Sequence, residues 1–449
     1  MAEIMIISRR GPILFASEAH AGPITPLLAI AGELGSRGGA GLWFASTDDR
    51  EADVERLPGV GFASLGEPRP DLSPANWDDA TYNRVNSASR LGSFAAFLRQ
   101  FFDPAHVLGM YQRALALIDE IEPSLMVIDS NCVGAMDAAM TRGVPYVMNS
   151  APHVSHLYPE RLPRHFPAVH SGLPLPMTPG QRLVNSTFKV LRLGVLLNPA
   201  TIGDSVRYVR RRRALGLRNP SGLSSRFADS AAAVIGNTLF GIEYPFPVPD
   251  NVRMLGPMVP SGGAGLASHP GLAGWLAERS PVVYVGFGTT MRLSPAGLAK
   301  VLGTMAAFRG RYRFLWSLNA AQQSLLPEAP PDNVRLATWV PQTEVLAHPN
   351  VMAFWTHGGY GANHGLHFGK PLLVTPDSWE TRDFGVRFAN SGAALLVDNI
   401  RRVPPAELTA RLDRLLTEDG FRSRAEYWQR RFEAAGGVTA AADLVLEHA

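Results

Sequence analysis

The sequence predicts an α/β chain made of two parallel-sheet domains in succession. Three observations predict it: short apolar runs alternate with longer amphipathic stretches through the first half, a Pro- and Gly-rich segment interrupts them, and the alternation then restarts. Alternation of this kind indicates βαβ units and a parallel sheet. At 449 residues the chain is too long for one ordinary core, and it suits two domains of roughly 200 residues each.

In the first half, Ile13-Leu14-Phe15-Ala16 is a candidate strand, followed by a helical pattern over 25–36 and apolar runs at 41–45 and 61–65. Further strands are expected at 125–128, 146–148 and 233–235. Residues 151–228 read as an irregular insert rich in Pro, Arg and Leu, of a size that shapes or covers a ligand pocket at the carboxyl edge of a sheet. The segment Tyr244-Pro245-Phe246-Pro247-Val248-Pro249-Asp250, with Gly256-Pro257 and Ser261-Gly262-Gly263-Ala264-Gly265 behind it, cannot hold a regular element.

The expected division is therefore a first domain at 1–240, a linker at 241–265 and a second domain at 266–420, with strands at 282–285, 314–316, 352–355, 372–374 and 394–396. The amphipathic stretch 421–449 is expected to form helices that pack back toward the first domain.

Composition excludes several classes. Hydrophobic residues make up 46% and charged residues 18%, which fits a globular protein rather than a disordered one. The net charge is only +3 and the lysines are limited to Lys189, Lys300 and Lys370, so there is no nucleic-acid footprint. One dense basic run, Arg207-Tyr208-Val209-Arg210-Arg211-Arg212-Arg213, reads as a solvated helix face or as a weak contact with an anionic membrane surface. A single cysteine, Cys132, excludes an intrachain disulfide and a cysteine-based metal cluster. No signal-peptide series precedes residue 30 and no spanning apolar stretch occurs. A cytoplasmic protein is expected.

In open parallel sheets ligands bind beyond the carboxyl ends of the strands, so two such sheets facing each other make one cleft. The densest cluster of unusual residues follows the strand at 352–355: Thr356-His357-Gly358-Gly359-Tyr360-Gly361-Ala362-Asn363-His364. Glycines at a strand-to-helix turn let backbone approach a ligand, the helix start offers free N–H groups to an anion, and His357 adds a donor. Upstream, Trp339-Val340-Pro341-Gln342 precedes His348-Pro349. A tryptophan held out by a turn stacks on a base; the alternative is a core tryptophan. Downstream, Pro376-Asp377-Ser378-Trp379-Glu380-Thr381 puts a carboxylate and a hydroxyl where sugar hydroxyls need partners.

Together these residues resemble the donor-binding signature of the family 1 glycosyltransferases, the UDP-glycosyltransferase superfamily, which has the two-domain GT-B fold. The pattern Trp-x-Pro-Gln, His-Pro, Thr-His-Gly-Gly, Gly-Lys-Pro and Pro-x-x-x-Glu runs over 339–381, and the layout of the chain matches too. The resemblance implies that Trp339 stacks on uracil or thymine, with Val340 and Gln342 near base and ribose. It also implies that His357 contacts the diphosphate with the helix from Tyr360 beneath it and Gly359, Gly361 and Ala362 beside it, that Thr289 reaches the phosphates, and that Glu380 accepts from sugar hydroxyls. Two positions depart from the family pattern. The helix reads Asn363-His364-Gly365 where a ribose-gripping Glu is usual, so either Asn363 or His364 takes over that contact or the grip is weaker, and Thr381 stands where glucose-using members commonly have Gln, which leaves the sugar open.

Transfer to an alcohol needs a base for the hydroxyl proton, and a neutral imidazole backed by a carboxylate suits that task. The family places a His after its first strand and an Asp at the end of a later one. In the loop Ser17-Glu18-Ala19-His20-Ala21-Gly22-Pro23-Ile24-Thr25-Pro26, alignment backward from Pro26 puts Pro23 at that position, whereas alignment forward from the strand puts His20 there. The second is preferred because loop length varies readily. Asp129 stands where the orienting Asp belongs; its other reading is a helix cap. His153, His156, His165 and His170 are further candidates for the base or for pocket lining.

The expectation is thus an inverting glycosyltransferase that takes a sugar from a UDP- or dTDP-sugar to a hydroxyl of a small lipophilic acceptor. The apolar residues of 163–200, including Leu191, Leu193, Val195, Leu196 and Leu197, suggest a natural-product-like aglycone. No metal-ligand spacing occurs, so no metal or other cofactor is expected. The alternatives are a catalytically degenerate sugar-nucleotide-binding protein and a sugar-nucleotide epimerase of the same fold.

Overall fold

The computed structural model describes residues 11–87, 89–101, 103–260 and 265–449. Residues 261–264 of the expected linker lie outside it. The first seven strands are β1 (Ile13–Ala16), β2 (Leu42–Ser46), β3 (Val60–Ser64), β4 (Leu125–Asp129), β5 (Tyr146–Ser150), β6 (Ala233–Gly236) and β7 (Val252–Met254). They form one sheet in the order β3-β2-β1-β4-β5-β6-β7. The remaining six are β8 (Val282–Gly286), β9 (Arg313–Ser317), β10 (Val334–Ala337), β11 (Val351–Thr356), β12 (Leu372–Val374) and β13 (Ala394–Leu396). They form a second sheet ordered β10-β9-β8-β11-β12-β13.

Every pairing is parallel. The central strands β1, β4, β5 and β8 are buried at every residue, which is why they read as continuous apolar runs rather than alternating ones. Strand order reverses between β1 and β4 in one sheet and between β8 and β11 in the other. These reversals are the two positions where an open sheet leaves a crevice at its carboxyl edge.

Two strands escaped the sequence pattern, and both are edge strands. β7 lies inside the stretch expected to be linker, and β10 fell between two recognised strands. Each is only three or four residues long and carries an arginine, Arg253 or Arg335, because an edge strand need not bury both sides.

The insert expected to be irregular instead holds the helices Pro179–Leu196, Pro199–Ala214 and Ser224–Ser230. Its prolines begin helices rather than break them: Thr178 caps Pro179–Leu196 in a reciprocal box with Gln181, with Pro179 in the first turn, where no N–H is required. The same tolerance starts the first helix at Ala21 rather than at residue 25, although Pro23 lies in it.

The basic run is not a uniform solvated face. Arg207, Arg210, Arg211 and Arg213 are exposed, but Arg212 is buried, donating to Asp137 at 2.6 Å and to the hydroxyl of Tyr208 at 2.9 Å.

The chain ends in the helices Asp419–Ala435 and Gly437–His448, joined by Gly436 at φ +85°. Val438, Ala441, Ala442 and Val445 share a core with Phe15, Ile24 and Leu27 beneath the first sheet. The last helix therefore seals the first sheet after the chain has built the second. No described helix is long and apolar enough to cross a membrane.

Candidate active site at the two strand-order reversals

On the second sheet, the loops after β8 and β11 meet around His357. The imidazole fits against two glycines: a methyl group added at Gly288 would stand 2.6 Å from its Cε1, and one at Gly359 would stand 2.6 Å from its Nε2. Only glycine fits either position with the ring in place. Gly288 also sits at φ +69°, a conformation costly for other residues. Burial pushes the His357 pKa down, with Asp377 opposing, so the ring is neutral at pH 7. Its Nδ1 has no partner among the described residues.

The turn continues through Gly359, Tyr360 and Gly361, whose amides donate to no backbone carbonyl among the described residues. The helix itself spans Ala362–His367, six residues, and starts two later than expected. So short a helix has a small dipole, which leaves the individual amides as the main donors toward an anion. Tyr360 is held from outside the sheet, its hydroxyl accepting the Met258 N–H at 2.8 Å. Ala362 and Asn363 are buried behind the turn. Asn363 Oδ1 and His364 Nε2 lack partners among the described residues, and burial pushes the His364 imidazole down to about 4.

Trp339 is not a core residue. Its side chain is 64% exposed and its ring lies 5.6 Å from that of His269. Val340 behind it is buried, and Gln342 Oε1 accepts the Tyr284 hydroxyl at 3.3 Å. Thr289 is exposed in the loop after β8.

After β12, Ser378 caps the helix Trp379–Asn390. Thr381 completes that cap: its hydroxyl accepts the Ser378 N–H at 3.0 Å and lies 3.3 Å from Asp377 Oδ1. The hydroxyl expected to read the sugar is thus engaged locally. Glu380 remains partly exposed at the first turn, its pKa raised by burial and by Asp383 and Asp377 against the lowering charge of His156.

On the first sheet, the ends of β1 and β4 bring acidic groups together. Asp129 is fully buried, and neither carboxylate oxygen makes a well-formed hydrogen bond among the described residues. Burial and the neighbouring charge of Glu18 push its pKa far up, against smaller lowering contributions from the Asn131 N–H and the Ser130 hydroxyl. The helix that follows is capped at Cys132 without any side-chain bond, so Asp129 is not its cap.

His20 caps the first helix by backbone only and stands 3.8 Å from Glu18, Nε2 to Oε2. Burial lowers the His20 pKa, with Arg50 and His106 adding to the effect and Asp49 opposing it. The charge of Glu18 acts on Asp129. The sequence offered one signal for this, a carboxylate two residues before the histidine in the same loop.

The two sides are joined by residues the sequence did not single out. His20 packs edge-on against Phe101, and Phe101 against Trp77, at centroid distances of 6.3 and 5.4 Å. The guanidinium of Arg292 donates to the carbonyls of Pro74, at 2.7 Å, and of Trp77, while the Arg292 N–H donates to the hydroxyl of Tyr82. An aromatic wall of Trp77, Tyr82, Phe97 and Phe101 therefore runs from the first-sheet crevice to the loop after β8.

With this geometry in hand, a family model described as UDP-glucoronosyl and UDP-glucosyl transferase matches residues 166–425, more than half of the chain. The chain belongs to that family. The glycosyltransferase is 26% identical over 443 residues to 4'-demethylrebeccamycin synthase of Lentzea aerocolonigenes, covering 96% of this chain and 98% of that one. Among solved structures it resembles the glycotransferase of kitacinnamycin, with a TM-score of 0.69, 19% identity and coverage of 98% and 99%. It also resembles the glycosyltransferase VinC in complex with dTDP, with a TM-score of 0.64, 18% identity and coverage of 97% and 99%. The two-sheet architecture is the GT-B fold.

In the glycosyltransferase, the helix Trp379–Asn390 carrying Glu380 is bolted to the first half of the chain. Asp383 Oδ2 accepts the His170 N–H at 2.7 Å and lies 3.4 Å from His156 Nε2. Burial raises the Asp383 pKa, but His156, Arg387 and the Gly172 N–H more than offset it and hold the carboxylate ionised. One turn on, Arg387 forms a buried ion pair with Glu243, which also accepts from the Ser155 hydroxyl at 3.1 Å. His153, whose Nδ1 lies 3.7 Å from Glu243 Oε2, joins His156 and His170 at this junction, whereas His165 is exposed.

The leucines considered for acceptor binding are not core residues either. Leu191, Leu193, Leu196 and Leu197 are 49%, 55%, 41% and 56% exposed, because their helix buries only Asn185 and Phe188. Among the described residues no group of three or more His, Cys, Asp or Glu side chains is placed to hold a metal.

Proposed function

We propose that this glycosyltransferase moves a sugar from a UDP- or dTDP-sugar to a hydroxyl of a small lipophilic acceptor, with inversion at the anomeric carbon. The observation that carries the reading is the exposed Trp339 ring on the same sheet edge as His357 in its glycine cradle. A flat aromatic surface and a neutral imidazole beside unengaged amides suit a nucleoside diphosphate. Glu380 stands farther along that edge, after β12, and suits sugar hydroxyls. Thr289, exposed after β8, adds a hydroxyl toward the phosphates.

The acceptor reading draws on the aromatic wall of Trp77, Tyr82, Phe97 and Phe101, which leads from this edge to the crevice holding Glu18, His20 and Asp129. The names of the relatives point the same way: one is a synthase of 4'-demethylrebeccamycin, one a glycotransferase of kitacinnamycin, and one binds dTDP. Departure of the diphosphate is eased by hydrogen bonds fixed before the reaction, from His357 and the amides of 359–361. Proton removal falls to the first-sheet crevice.

The test is transfer itself. The purified chain is incubated with UDP- or dTDP-sugars and a panel of polycyclic, polyketide and phenolic alcohols. The expected result is a product heavier by one glycosyl residue, equimolar nucleoside diphosphate, and an anomeric configuration opposite to the donor's. Retention of configuration would overturn inversion, and donor turnover independent of every acceptor would favour an epimerase.

A further inference from the structure

We propose that Glu18, rather than His20, is the group that takes the proton from the acceptor hydroxyl. This rests on the transferase reading above and deepens it. Three geometric facts lead to it. Glu18 lies two residues beyond β1, and Asp129 ends β4; these strands are adjacent in register, Ala16 opposite Ile128, at the point where the strand order reverses. Glu18 is thus at the crevice where a ligand of the first sheet belongs. Its side chain is 21% exposed, so it has a route to a bound molecule, whereas Asp129 has none.

His20 is the poorer acceptor of a proton. It lies 3.8 Å from Glu18 with its ring edge-on to Phe101, and burial with the positive charges of Arg50 and His106, against Asp49, disfavours its protonated form. The charged and titratable groups around Glu18 are then His20, Asp129 and Cys132. None of them is a fixed cation.

The chemistry is consistent with this placement. Burial pushes the Glu18 carboxyl up to about 7, where a base is half ionised at neutral pH and strong enough to accept an alcohol proton as the new bond forms. In the step, the acceptor O–H bond breaks and its proton passes to Glu18. The oxygen's electron pair forms the bond to the anomeric carbon, and the bond from that carbon to the diphosphate breaks, its pair leaving on the nucleoside diphosphate. Burial and the Glu18 charge push the Asp129 carboxyl up, which favours its protonated form beside Glu18.

The test compares Glu18→Gln, Glu18→Ala and His20→Gln in acceptor transfer over pH 5–9, with donor affinity measured on each. A general base contributes on the order of 100- to 10,000-fold. The expected result for Glu18→Gln is a loss of at least that lower factor in kcat, donor affinity within about threefold of the wild type, and disappearance of the rise in rate through neutral pH. Added formate partly restores Glu18→Ala. A merely structural role would give neither the altered pH profile nor the formate rescue. The proposal is overturned if Glu18→Gln keeps the wild-type rate and profile, or if the neutral-pH rise vanishes in His20→Gln instead. If the wild type bound no sugar nucleotide, the transferase reading would fail first and take this assignment with it.

Discussion

Tyr82 and Asp377 meet across the two halves of the molecule: the phenol donates to Asp377 Oδ2 at 2.8 Å and at the same time accepts the Arg292 N–H at 2.7 Å. One hydroxyl thereby ties a helix of the first half, Asp79–Val85, to two loops of the second that border the proposed donor site, those after β8 and β12. Burial and the Asp377 charge push its pKa up, so it remains a donor throughout the working pH range.

Tyr82→Phe removes that tie while keeping the ring. A hydrogen bond to a carboxylate contributes about 1.5–3 kcal/mol, and part of it is regained from solvent here. The expected outcome is a decrease of roughly 5- to 30-fold in kcat/KM for the donor with little change in melting temperature. Steady-state kinetics at varied donor concentration checks it. An unchanged kcat/KM would mean that the strap does not act on the donor loop.

Arg387 and Glu243 make the opposite kind of contact, fully enclosed. Removing one member of a buried pair leaves the other charge without compensation, which costs about 3–5 kcal/mol. Arg387→Met is therefore expected to lower unfolding stability by that amount in urea titrations, and Arg387→Met with Glu243→Leu is expected to recover most of it. A double variant no better than the single one would contradict the assignment.

His364 gives a pH dependence. Its folded pKa is about 4, against about 6.5 for an exposed histidine. Between those values the unfolded chain binds a proton that the folded chain does not. Stability is therefore full above about pH 6.5 and falls as pH drops toward 4, by up to roughly 3 kcal/mol from this group. His364→Asn is expected to flatten that part of the profile in denaturant titrations at pH 4.5, 5.5 and 7. An unaltered slope would place the sensitivity elsewhere.

The parts legible in the sequence were those written in short range. Continuous apolar runs mark strands buried on both faces, so β1, β4, β5 and β8 could be read directly. Glycines beside a histidine mark a turn that must close on something, and for Gly359 that something is the His357 ring itself. The edge strands β7 and β10 bury one side only and left no run to recognise. Prolines looked like breakers until the Thr178 box placed Pro179 in a first turn.

The approach of Glu18 to Asp129 depends on β1 and β4 being neighbours, a fact of sheet order that no local pattern contains. Thr381 looked available for a sugar because its hydrogen bonds to Ser378 follow from the backbone turn, not from residue type. For the same reason the junction of Asp383 with His156 and His170 was invisible: it joins two halves that only the fold brings together.

Calorimetric titration of UDP- and dTDP-sugars into the wild type and into Trp339→Ala tests the central claim most directly. Stacking of a base on an aromatic ring contributes about 1–3 kcal/mol, so at least one donor is expected to bind the wild type, and the variant is expected to bind it roughly 5- to 150-fold more weakly. Binding by no sugar nucleotide, or binding of equal strength without the Trp339 ring, would contradict the account.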